Sequence, residues 1–280
     1  MKRMNRLAAF AMLLSAAWLT GCKKEQELTT AEKQEFASAQ ATVEVLTEIQ
    51  SLNSMVTSLP TAGNPGGRMA GIAGADCGVV SIQTDEATGA EAIIVDFGTG
   101  QTCQGRLLKG KIIYTIGMGS SEETLLTMSA KFVGYEADGK KLDGKYVISV
   151  SYQDTESSFV YKYKFTDAVL TYADGKQVKW NSDYLLNMKF NVNQSNNSAT
   201  LDISMTGGVA GTTLAGKAFT ANITSPLIAS SSCQTGYTKG QYLIKVDGYA
   251  DALLDFGNGE CDQYATLLIN GKSQRIEAGK

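Results

Sequence analysis

Residues 184–193 read Tyr184-Leu185-Leu186-Asn187-Met188-Lys189-Phe190-Asn191-Val192-Asn193. Tyr184, Leu186, Met188, Phe190 and Val192 fall on every second position, against Leu185, Asn187, Lys189, Asn191 and Asn193. A period of two puts the sets on opposite faces of an extended strand, one apolar and one largely polar, which is the signature of a half-buried strand in an antiparallel sheet. A helix would scatter the same apolar residues around its axis.

The pattern recurs on both sides of this stretch. Tyr146, Ile148, Val150 and Tyr152 alternate with Lys145, Val147, Ser149 and Ser151; Leu201, Ile203 and Met205 alternate with Thr200, Asp202, Ser204 and Thr206; Phe219, Ala221 and Ile223 continue it. Between such runs stand Ala137-Asp138-Gly139-Lys140 and Ala173-Asp174-Gly175-Lys176, whose Asp-Gly pairs suit the positive φ of tight hairpins. Roughly a dozen strand candidates with one apolar face each must curl around a core or stack on themselves. The expected fold is all-β, an antiparallel curved sheet forming an open barrel or a sandwich. A transmembrane barrel would also alternate, but with its apolar face turned outward to lipid.

A cysteine module brackets this body. Cys77 leads through Asp96-Phe97-Gly98-Thr99-Gly100 to Cys103 and then Leu107-Leu108; Cys233 leads through Asp255-Phe256-Gly257-Asn258-Gly259 to Cys261 and then Leu267-Leu268. Duplication of a module carries its internal crosslink along, so the expected bridges are Cys77 with Cys103 and Cys233 with Cys261, although four cysteines allow three pairings. One β domain over 77–280, with the two modules closing the ends of a single sheet, is the simplest arrangement.

Ahead of it, Thr29 and Glu32 have capping-box spacing, and Phe36, Val43, Leu46, Ile49, Leu52, Val56 and Leu59 recur at three, four or seven residues. This predicts one N-terminal helix over 29–59, stopped by Pro60, that packs on the β domain or pairs with another helix. Residues 60–76 are Gly-rich and read as a link.

At the start, Lys2, Arg3 and Arg6 precede an apolar run from Leu7 to Trp18, too short to span a membrane stably, and then Leu19-Thr20-Gly21-Cys22. This resembles the lipobox of bacterial lipoproteins, in which the cysteine thiol receives a diacylglyceryl group. The resemblance implies that residues 1–21 are a signal peptide and that Cys22 is lipidated and anchors the chain in the outer membrane. Residues 22–28 are then a charged tether. Its Lys23-Lys24-Glu25-Gln26-Glu27 run looks like the export signal of surface lipoproteins of Bacteroidota, so the domain faces either the cell surface or the periplasm. The mature chain as a whole is similar to uncharacterised Bacteroidota lipoproteins carrying an Asp-aromatic-Gly-Xaa-Gly-Cys element after a β-rich body, a likeness that implies no activity. Four cysteines left after Cys22 form an even set, and in an exported chain that favours disulfides over redox or metal chemistry.

Removing Lys2, Arg3 and Arg6 from 25 basic side chains leaves 22 against 28 acidic ones, a net charge of −6 that disfavours nucleic acid as a partner. The chain has no histidine, which excludes a Ser-His-Asp triad, a Cys-His pair and histidine-ligated zinc. A two-carboxylate glycan hydrolase needs no histidine, and Asp96 and Asp255 are its natural nominees. An Asp before Phe-Gly-Xaa-Gly more simply caps a turn. Asp255, Asn258, Glu260 and Asp262 offer oxygens to calcium without EF-hand spacing, Asp96-Phe97-Gly98 matches a kinase tripeptide in letters only, and Thr206 to Gly211 lacks the lysine of a phosphate loop.

Phe159, Tyr161, Tyr163 and Phe165 line one face of one strand, opposite Val160, Lys162 and Lys164. The ladder is either core or a surface for a sugar ring or an acyl chain, and Tyr161, Tyr163 and Trp180 are the binding candidates. No cofactor or metal is expected. The functional expectation is a non-catalytic, lipid-anchored envelope protein whose β domain binds a glycan, lipid or protein or serves the envelope structurally. The alternatives are a periplasm-facing lipid or lipoprotein carrier with a helix-covered half barrel and the glycan hydrolase.

Overall fold

A computed structural model describes residues 28–57, 78–84, 91–103, 105–118, 124–153, 158–193, 198–233 and 236–277. The signal segment, Cys22, most of the tether, Pro60, the Gly-rich link and Cys77 lie outside the described residues. Helix α1 spans Thr30–Thr57. Thirteen strands follow: β1 Val79–Thr84, β2 Glu91–Cys103, β3 Arg106–Met118, β4 Thr124–Ala137, β5 Lys140–Gln153, β6 Ser158–Thr171, β7 Gln177–Asn193, β8 Ser198–Thr212, β9 Ala218–Ser230, β10 Lys239–Val246, β11 Ala252–Asn258, β12 Tyr264–Ile269 and β13 Lys272–Glu277. They form one sheet in strict chain order, each strand antiparallel to the next, and the sheet is not closed into a barrel. The all-β expectation therefore holds in its open, curved form.

The tight turns follow from their residues. Asp138 at φ 51° and Gly139 at φ 77° make the β4–β5 hairpin, with both central residues in the left-handed region that Asp-Gly supplies. Asn270 and Gly271, at φ 49° and 77°, do the same between β12 and β13. Curvature comes from register shifts that interrupt the ladders β3–β4, β4–β5, β5–β6, β6–β7, β8–β9 and β9–β10. A bulge bends and twists a strand, and a row of them curls a sheet that would otherwise splay. At one of them Gly207 has φ 111°, and a β-carbon there would stand 2.2 Å from the Asp183 carbonyl oxygen, so the position accepts glycine alone. The run Thr206 to Gly211 is thus a close strand approach.

The helix begins as its residues dictate: the Thr29 amide donates to Glu32 Oε2 at 2.8 Å and the Glu32 amide donates to Thr29 Oγ1 at 3.3 Å. Phe36, Leu46, Ile49, Leu52 and Val56 are buried against the sheet, which settles the choice between packing and coiled coil in favour of packing. The contacts of α1 reach across the whole sheet. Glu48 pairs with Lys140 on β5 at 2.7 Å and lies 3.9 Å from Arg106 on β3, Glu32 meets Lys272 on β13 at 2.7 Å, and Glu35 accepts the Ala250 amide at 2.6 Å. Each contact is made at or beside a β2–β3, β4–β5, β10–β11 or β12–β13 connection. The helix therefore stops one end of the curved sheet.

The first module lies at one sheet edge as β1–β2–β3, and the second lies next to the other edge as β10–β11–β12, with β13 outside it. Cys233 and Cys261 are bonded, with Cα atoms 5.6 Å apart. Cys103 is also in a disulfide, and its expected partner Cys77 lies outside the described residues. In each copy the aspartate makes the same turn: Asp96 Oδ1 accepts the Gly98 amide and Asp255 Oδ1 the Gly257 amide, both at 2.8 Å. The following Phe97 and Phe256 are buried.

Candidate ligand-binding face

The inner face of the sheet is a series of transverse rows set by register. Beyond the buried pairs next to the helix, such as Leu142 with Leu170 and Leu170 with Val178, Tyr114, Ala130, Tyr146, Phe165 and Ser182 align, all buried. The next row holds Ile116, Met128, Ile148, Tyr163 and Tyr184, then Met118, Leu126, Val150, Tyr161 and Leu186, then Tyr152, Phe159 and Met188. Phe190, paired with Leu201, lies farthest out. Exposure rises outward along β5, β6 and β7, where Phe165 is 0 % exposed, Tyr163 8 %, Tyr152 40 % and Phe190 52 %; Met118, in the third row at the end of β3, is 86 % exposed.

The aromatic ladder thus divides within a single strand. Phe165 sits among Phe132, Tyr146 and Trp180, with ring centroids 5.8, 4.9 and 5.5 Å away. Trp180 is 1 % exposed, and Tyr163 packs on Tyr184 at 5.8 Å. These candidates are core. Tyr161 is half-buried at the border, and Phe159 belongs to an outer cluster with Tyr152 at 5.0 Å and Phe190 at 6.5 Å. On the opposite face Lys162 and Lys164 are exposed, while Val160 is buried. Sequence reasoning singled out Tyr161 but missed Met118, Tyr152 and Phe190 as a site. The signal was present in the cross-strand register, which a single strand does not disclose.

A belt of polar atoms lies under this mouth. Tyr114 Oη, Tyr146 Oη, Trp180 Nε1 and Ser182 Oγ make no hydrogen bond among the described residues. Among the described residues the Tyr163 hydroxyl donates only to Met205 Sδ, at 3.3 Å, and Tyr237 reaches the same sulfur at 3.6 Å. Gln50 on α1 donates to Tyr242 Oη at 3.0 Å, and the Tyr184 and Tyr242 hydroxyls face each other without meeting hydrogen-bond geometry. Burial, reinforced by the neighbouring hydroxyls of Tyr163 and Tyr114, holds the Tyr146 hydroxyl well above the usual phenol range. Burial does the same for Tyr114, Tyr163, Tyr184, Tyr237 and Tyr242, so all six stay protonated near neutral pH. Each unpartnered buried polar group costs about 1–3 kcal/mol.

The other candidates are engaged structurally. Lys111 Nζ lies 2.8 Å from Asp96 Oδ2, and this contact, with the Gly98 amide, holds the Asp96 carboxyl below the usual carboxylate range. Asp255 Oδ2 accepts Gln241 Nε2 at 2.8 Å. The two aspartates stand in separate turns on β2 and β11, each already satisfied. Asp262 accepts the Tyr264 amide at 3.0 Å, and among the described residues no group of three metal-ligating side chains is assembled. A groove of about 720 Å³ beside α1 carries Glu48, Arg106, Asp138 and Lys140, but these charges pair with one another.

Comparison with protein-family models, curated proteins and solved structures finds no match to this chain.

Proposed function

We propose that this chain is a lipid-anchored lipoprotein of the outer membrane whose non-catalytic β domain binds an apolar ligand on the open half of its inner face. The observation that supports this best is the uncovered strip itself. Met118, Tyr152 and Phe190 come from three different strands and lie on the face that elsewhere forms the core, and apolar side chains left exposed together mark a binding surface more often than chance. An acyl chain suits it, because the strip offers rings and aliphatic carbons and no charge of its own. The carrier reading uses the same face and draws on the helix-stopped, open sheet; it adds the requirement that the ligand be handed on. A glycan hydrolase has less support, since Asp96 and Asp255 are each consumed by a turn.

The anchoring half of the reading rests on Leu19-Thr20-Gly21-Cys22. Metabolic labelling with a fatty acid should mark the protein and vanish in Cys22→Ser; persistent labelling would refute it. For the binding half, a photo-reactive phenylalanine analogue at position 190 in cells should form lipid adducts identifiable by mass spectrometry, whereas the same analogue at outward-facing position 164 should not. Equal yields at both positions, or none at 190, would refute binding on the inner face.

A further inference from the structure

The hydroxyl belt lies where the apolar strip leads. Tyr114 on β3, Tyr146 on β5 and Ser182 on β7 share one transverse row, and Tyr163 and Tyr184 fill the next row toward the mouth. The Tyr163 and Tyr184 rings lie 5.8 Å apart, and the Tyr163 and Tyr237 hydroxyls reach the same Met205 Sδ at 3.3 and 3.6 Å, so the groups converge. Most are donors without acceptors. Ordinary cores pair nearly all such groups, and four unpartnered side chains on three alternate strands are too many to be packing accidents. No charged side chain is buried among the described residues.

We propose that this belt is the head-group site of the apolar ligand and that it selects a neutral head bearing carbonyl oxygens, such as an acyl ester, over a carboxylate or phosphate. This rests on the binding reading above and names the ligand class. A carbonyl oxygen accepts hydrogen bonds and donates none, which matches protonated tyrosines; it also brings no charge into a belt that has no cation to meet one. An anion of the same length would enter the interior uncompensated. The hydroxyls are buried and unsatisfied, so a carbonyl that reached them would replace a penalty with hydrogen bonds.

The test uses a matched pair of probes, methyl decanoate and decanoate, which share a chain and differ in head charge at pH 7.5. The full-length protein in phospholipid vesicles is titrated with each and read by the emission of Trp180, whose indole lies in the belt; a Trp180→Phe control identifies the signal. The ester should bind saturably and at least about tenfold more tightly than the anion. Removing two donors in Tyr114→Phe/Tyr146→Phe should weaken the ester about tenfold, at a few-fold for each hydrogen bond, and leave decanoate unchanged. Equal affinity for ester and anion, or undiminished ester affinity in the double variant, overturns the head-group assignment while sparing apolar binding. Failure of both probes to bind overturns this inference together with the reading on which it rests. The probe comparison needs no variant, so it decides even where the double substitution alters folding.

Discussion

Replacing Phe165 and Phe190 by alanine, one at a time, separates core from site on a single sheet face. Phe165 is 0 % exposed and touches three other rings, so its removal leaves a cavity that the crowded neighbours Phe132, Tyr146 and Trp180 cannot readily collapse into. Truncations of this kind cost about 3–5 kcal/mol, and the lost ring pairs place Phe165→Ala in the upper part of that range. Phe190 is 52 % exposed and makes one edge contact, with Phe159 at 6.5 Å. Roughly half of a phenylalanine's burial is lost there, about 1 kcal/mol. In a domain of this size 1 kcal/mol moves Tm by about 2–4 °C, so Phe165→Ala should lower it by about 6–20 °C and Phe190→Ala by a few degrees at most. Urea unfolding of the domain lacking residues 1–22, followed by far-UV circular dichroism, measures both on one scale. Equal losses for the two variants would show that the face is uniformly core and would remove the reason to see a binding strip on it.

The Cys233–Cys261 bridge closes a loop of sequence separation 28, for which chain entropy gives about 3–4 kcal/mol; Cys233→Ser/Cys261→Ser should lose that much unfolding free energy in a urea titration, and a loss below about 1 kcal/mol would speak against it. The hydrogen bond from Lys272, with those from Thr29, lowers the Glu32 carboxyl from an ordinary 4.5 to about 2. A lowered folded-state value means that the clasp between α1 and β13 is fully formed above pH 4.5 and is lost as pH falls toward 2, which carboxyl titration by NMR should show; in Lys272→Ala the value should return toward 4.5. Gly207→Ala forces a side chain to φ 111° and into the Asp183 carbonyl, and should cost at least about 1 kcal/mol in the same urea assay.

The strands were legible because each carries its own period: Tyr184 to Asn193 needs no partner to be read as half-buried. The Asp-Gly hairpin at 138–139 and the Thr29–Glu32 cap were legible for the same reason, since both are local chemistry. The recurrence of Asp-Phe-Gly-Xaa-Gly correctly implied one turn used twice and an internal Cys233–Cys261 bridge. What could not be read was depth. Phe165 and Phe159 stand on the same face of the same strand, yet one is core and the other lies near the mouth, because α1 stops only one end of the sheet. The convergence of Tyr114, Tyr146, Tyr163 and Tyr184 was likewise hidden: their spacing along the chain is irregular, and only the register of four ladders brings them into adjacent rows. The bulges that bend the sheet left few marks beyond glycines, and a glycine announces freedom without saying which neighbour will use it.

Every ladder in the sheet joins strands that are neighbours in sequence, so the sheet can grow hairpin by hairpin as the chain emerges, with short loops to close at each step. Helix α1 is the exception. It is made before any of the strands, but the cation that clasps its first turn, Lys272, is 240 residues away, and the partners of Glu48 and Glu35 lie on opposite sides of the sheet between. The helix is therefore made before the strands but completes its docking only when Lys272 arrives, and until then its buried stripe of Phe36, Ile49 and Leu52 is covered by an unfinished sheet. That interval is when the chain is most exposed to aggregation, and it lengthens with every residue added between α1 and β13.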